Sequence, residues 1–159
     1  MTTPTTPRTA TRIVFLAEDD FMSPPAPFRT GAAGVVRFAE DDSLEMDERV
    51  KLSANAVHAL IGHGVLDRLN ELDLEGAVGR GVPVLIRPGL IEDARTILYA
   101  ADPTTYGQEW EFLVDRDEGP PPVEFRVRVV NREYQIALVR LIDVFNRASR
   151  HGDAAWITI

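Results

Sequence analysis

The chain has no cysteine among its 159 residues, which excludes a disulfide, a thiolate metal site and a cysteine nucleophile at once. Lysine is almost absent too: Lys51 is the single one, and arginine carries the other basic charges. No apolar run approaches the roughly eighteen residues that a membrane-crossing helix needs, and the opening MTTPTTPRTAT holds no apolar signal core. These absences point to a cytoplasmic chain that makes no membrane contact. Basic residues are outnumbered 17 to 25 by acidic ones, for a net charge of −8, and they are scattered singly. That sign and pattern repel phosphate backbones, so no nucleic acid is expected, while a basic protein partner is compatible.

What the chain does have is 45% hydrophobic residues, enough for a core. We read residues 1–11 as a flexible Thr/Pro arm and 12–159 as a single α+β domain, with 12–75 an N-terminal extension and 82–159 the core. Residues 12–17 (RIVFLA) and 34–39 (GVVRFA) are β-rich apolar runs that predict a hairpin or edge strands. Between them, Pro24, Pro25 and Pro27 predict an extended loop. Ser53 caps an expected helix over about 54–74, in which Gly62 and Gly64 mark a kink or a close helix–sheet contact.

The second half alternates clearly. PVLIR (83–87) predicts a strand, and Leu90, Ile91, Ala94, Ile97, Leu98 and Ala101 form a helical stripe that stops before Asp102-Pro103. EWEFLV (109–114) and VEFRVRVV (123–130) predict a hairpin with Glu111 opposite Arg126, Glu109 opposite Arg128, Trp110 facing Val127 and Phe112 facing Phe125. A helix from Asn131 to about Ser149 and a final strand, AAWITI, follow. This order is that of the ferredoxin-like βαββαβ unit, spanning about 82–159. Its second helix is apolar around most of its circumference, with Arg140, Asp143 and Arg147 as a polar strip, so burial on more than one side is expected, against its sheet and either the 54–74 helix, the favoured reading, or another subunit.

Two copies of AEDD follow the first two strands. If those strands were parallel neighbours, Glu18, Asp19, Asp20, Glu40, Asp41 and Asp42 would converge as hard oxygen ligands for Mg²⁺ or Ca²⁺; in a hairpin they would lie at opposite ends. IVFLAEDD is similar to the first strand and acidic pair of response-regulator receiver domains, but over residues 13–20 only. FMSPPAPF follows where a receiver has a helix, and the sole lysine, Lys51, lies too early in the chain, so that family is set aside. His63, Asp67 and Glu71 share a spacing that puts them on one helix face, which reads more simply as a solvated strip than as a metal site. The glycine-rich GAVGRGVP (76–83) lacks the ending of a phosphate loop and precedes a strand, so it reads as a connection in which Arg80 could touch an anion.

Neither a nucleophile elbow nor a complete metal-ligand set is present in the sequence, and no cofactor is expected. The expected function is that of a non-catalytic protein-interaction or assembly component: an oligomer subunit, an adaptor or an acidic inhibitor. Protein partners or self-association are expected through Ile136, Val139, Arg140, Asp143 and Arg147. The alternatives are a small-molecule-binding regulatory module and, behind it, a metal-dependent enzyme built on the two AEDD clusters.

Overall fold

The computed structural model describes residues 10–16, 30–38, 40–41, 43–101 and 107–159. Most of the arm at 1–11, the first AEDD, the proline-rich loop and Asp102-Pro103 lie outside them. The elements run β1 (Arg12–Phe15), β2 (Gly31–Phe38), β3 (Leu44–Leu52), α1 (Ala54–Gly62), α2 (Val65–Leu69), β4 (Pro83–Ile86), a 3₁₀ turn at Pro88–Leu90, α3 (Ile91–Ala100), β5 (Glu109–Asp117), β6 (Val123–Val130), α4 (Asn131–His151) and β7 (Ala154–Thr158). Among the described residues the structure is mixed α+β, with four helices and two sheets, ordered β1-β6-β5 and β3-β2-β7-β4.

The ferredoxin-like arrangement is not confirmed. In that arrangement β4 would pair with both β7 and β6 in one sheet. Here β4 pairs with β7 alone, β6 gives its free edge to β1 in parallel, and β7 gives its second edge to β2. The N-terminal strands therefore do not extend one sheet; they divide the strands between two. They are also not a hairpin with each other, because β1 bonds to β6 whereas β2 bonds to β3 and β7.

One contiguous apolar cluster joins both sheets. α4 packs on β2, β3 and β7, α3 lies beside α4, and α1 touches α4 as well as β5 and β6. Ser53 fixes one corner: its Oγ accepts from the Ala56 N–H at 3.1 Å, capping α1, and donates to the Glu133 carboxylate on α4 at 3.2 Å.

β3 was not foreseen, and its burial pattern shows why. Leu44, Met46, Val50 and Leu52 alternate in sequence, but a register shift in the β2–β3 pairing separates them. Val50 and Leu52 enter the core, whereas Leu44 and Met46 turn to the other face, each 54% exposed. On that face Val36, Ala154 and Trp156 form a second, smaller apolar cluster.

The β5–β6 register also differs from expectation, by two residues. Glu111 lies opposite Arg128, Trp110 opposite Val129 and Phe112 opposite Val127. β5 runs on to Asp117 through an irregularity between Leu113 and Asp115, which moves the turn toward the prolines. A slip of two keeps every side chain on its expected face, so the charge pattern survives: Glu111 accepts from both Arg126 (3.4 Å) and Arg128 (3.2 Å).

Both roles foreseen for the glycines of the 54–74 segment occur. Gly64 adopts φ 76 and ends α1, so one expected helix becomes two. Gly62 sits against the Phe112 ring so closely that a β-carbon there would fall inside it. Gly62→Ala should therefore destabilise the fold by about 1–3 kcal/mol through overpacking. Urea unfolding checks this, and a midpoint equal to that of the wild type would refute the close contact.

Candidate functional site

α4 owes its position to one face. Tyr134, Ala137, Leu138, Leu141, Val144, Phe145 and Ala148 recur at helical spacing and are all buried. At 100° per residue, the opposite face is set by the same geometry, and it carries Arg132, Ile136, Val139, Asp143 and Arg150. Ile136 is 42% exposed and Val139 is 64% exposed. The helix is covered on more than one side, as expected, by the four-stranded sheet, α3 and α1, yet among the described residues two branched apolar residues still occupy the middle of its solvent face.

Of the five residues expected at an interface, Ile136, Val139, Arg140 and Asp143 are exposed on this face and Arg147 is half-buried at its margin. The sequence reading missed Arg132 and Gln135, which complete the surface. Arg132, Gln135, Ile136, Val139 and Arg140 line an open concavity of about 400 Å³. Ile136 and Arg140 also border a smaller one, about 170 Å³, shared with Leu52, Ser53, Ala56, Glu133 and Ala137. Helical spacing puts Arg132 on the stripe of 136, 139 and 143, a signal usable only once that stripe is known to be exposed, and Gln135 lies beside it.

A polar seam bounds this face on the α3 side. Arg95 donates to both carboxylate oxygens of Glu92 at 2.8 Å and to Asn146 at 2.8 Å, and Ser149 donates to Glu92 at 2.7 Å. These bonds, Ser149 first, hold the Glu92 carboxyl below its ordinary range. Neither Arg132 nor Asp143 has an ion-pair partner among the described residues.

The acidic clusters do not assemble among the described residues. Glu18, Asp19, Asp20 and Asp42 lie outside them. Glu40 and Asp41 stand in the β2–β3 turn, where Asp41 accepts from the Ser43 hydroxyl (2.6 Å) and N–H (3.2 Å), contacts that lower its pKa. With β1 and β2 in different sheets, neither arrangement considered for the two AEDD segments occurs. Among the described residues no group of three or more His, Asp or Glu side chains is placed to hold a metal ion. The glycine-rich 76–83 segment is structural: Asn70 bonds both to the N–H and to the carbonyl of Val78, and the N–H groups of Gly79 and Gly81 donate to the Ile159 carbonyl.

The supposed face of His63, Asp67 and Glu71 is broken by the Gly64 turn. His63 instead enters an aromatic cluster, stacked on Tyr134 (ring centres 4.1 Å apart) and edge-on to Trp110 (4.9 Å) and Phe112 (5.2 Å). Its buried Nε2 has no hydrogen-bond partner among the described residues. Burial first, and the nearby Arg68 charge second, push its pKa below 6.5. The unfolded chain then binds a proton that the folded one resists, so this contribution to stability is present above pH 6.5 and is lost as pH falls below it. Unfolding free energy followed between pH 7 and pH 5 should decline less in His63→Gln than in the wild type. Equal slopes would show that His63 is not the group responsible.

Among the described residues no helix is long and apolar enough to cross a membrane. No protein-family model, curated protein or solved structure matches the chain.

Proposed function

We propose that the chain is a non-catalytic protein-interaction or assembly component that docks through the solvent face of α4. The observation that carries this reading is the exposure of Val139 and Ile136 at the centre of that face. Single exposed apolar residues are ordinary, but these two border an open concavity and are ringed by charged groups, the anatomy of a small contact surface. The Arg132, Arg140, Arg147 and Asp143 side chains around them supply a polar rim of mixed sign. A cytoplasmic location and a protein partner fit this role.

A second reading, a small-molecule-binding regulatory module, draws support from an open groove of about 530 Å³ at the end of the four-stranded sheet. Glu48, Lys51, Ser53 and Thr158 give it polar groups beside Leu52 and Ala32. The α4 reading has the stronger support because large apolar side chains, Ile136 and Val139, are exposed beside its concavity, whereas Leu52 in this groove is buried.

Photocrosslinking separates them. A benzoylphenylalanine placed at Val139 should form protein–protein adducts in cells expressing the chain, and Ile136→Glu should abolish them. The same probe at the exposed Asp67 should give none. Adducts that are equal from both positions, or absent from Val139, would refute docking through α4.

A further inference from the structure

We infer that the partner of the α4 face is a second copy of this chain, paired through α4 in an antiparallel, two-fold arrangement centred between Ala137 and Leu138. The inference rests on the α4 reading above and names its occupant.

A two-fold interface must be self-complementary: whatever a residue meets on the second copy must meet it in return. The exposed residues of α4 satisfy this about one point. Ile136 and Val139 lie equally far on either side of the Ala137–Leu138 bond, as do Gln135 and Arg140, and Arg132 and Asp143. Antiparallel pairing about that point sets Ile136 against Val139 of the second copy, twice. It sets the positive Arg132 against the negative Asp143 of the second copy, also twice, and gives Arg140 the Gln135 amide. All five of the non-amide residues among these are solvent-facing, and their three charges, Arg132, Arg140 and Asp143, have no ion-pair partner among the described residues.

The shape agrees with the charge. Four residues at i, i+3, i+4 and i+7 make the hole that receives a knob from a facing helix. Arg132, Gln135, Ile136 and Val139 have that spacing and line the 400 Å³ concavity. Ile136, Val139, Arg140 and Asp143 repeat it one turn on. In the proposed register the first hole lies opposite Val139 of the second copy, and the second opposite its Ile136. No two arginines of this face meet: Arg147 and Arg150 project past the start of the opposing helix.

One helix pair covers less than the roughly 1,000 Å² of a stable interface, so the dimer is reversible and depends on concentration. Sedimentation velocity from micromolar to millimolar chain should show a monomer–dimer equilibrium. Arg132→Glu and Asp143→Arg should each weaken it about tenfold, because each turns two attractive pairs into repulsive ones. The double variant, with both charges exchanged, should recover to within about threefold of the wild type. Val139→Glu should abolish association while leaving the circular dichroism and melting temperature unchanged, since the side chain is outside the core.

The absence of native cysteine allows a test of register. When Ile136→Cys and Val139→Cys chains are mixed and oxidised, the mixed disulfide dimer should outrun both homodimers. Preference for the two homodimers would indicate parallel helices and overturn the inference. A strict monomer at millimolar concentration would overturn it too. If Val139 photoadducts then contain only a different protein, the α4 reading stands and self-association falls; if there are no adducts either, both fall.

Discussion

The burial of one face of α4 is the constraint on which the rest of the molecule depends. Tyr134, Leu138, Leu141 and Phe145 are almost wholly removed from solvent, and α4 touches three strands of the four-stranded sheet, α3 and α1. Truncating any of these large side chains leaves a cavity worth about 2–5 kcal/mol, so the helix has no freedom to roll. A helix held by one face has no choice about the other. Ile136 and Val139, half a turn away from the core positions, are committed to the surface by the residues that commit Leu138 and Leu141 to the interior.

Two polar contacts sharpen that orientation. The Ser53–Glu133 bond pins the start of α4 to the cap of α1, and the Glu92–Arg95–Asn146–Ser149 seam pins its end to α3. Between these ends the solvent face has no partner of its own for Arg132 or Asp143 among the described residues. The contrast with the outer face of the three-stranded sheet is instructive. There Glu111, Glu124, Arg126 and Arg128 form a connected set of ion pairs, and Arg128 lies over the Phe15 ring at 4.1 Å. On that face the charges pair with one another beside the exposed Ile13, Phe15 and Leu113, whereas around the exposed Ile136 and Val139 of α4 the charges of Arg132 and Asp143 have no ion-pair partner among the described residues.

Much of the secondary structure was legible because periodicity and punctuation agreed. β4, α3, β6, α4 and β7 fall where alternation, helical stripes and Gly152 place them. The sheet topology was not legible, because hydrogen-bond partners are chosen by edges: nothing in RIVF says that it will lie along β6 in parallel and so separate β4 from β6. β3 escaped notice because LEMDERVKL is highly charged and its register shift splits its apolar residues between two faces. The residues proposed for an interface on α4 were legible as an excess of apolar side chains for one helix. Their symmetric partners, Arg132 and Gln135, were not, because a polar residue at a helix surface carries no signal until the centre of the exposed stripe is known.

The most direct measurement of the two-sided role of α4 is an isotope-filtered nuclear Overhauser experiment on a mixture of ¹³C-labelled and unlabelled chains. Cross-peaks between the methyl groups of Ile136 in one copy and Val139 in another are expected, with none between Val139 and the core methyls of Leu141 in another copy. Filtered spectra without Ile136–Val139 peaks, at a concentration where the chain is shown to be dimeric, would contradict a two-fold α4 pair.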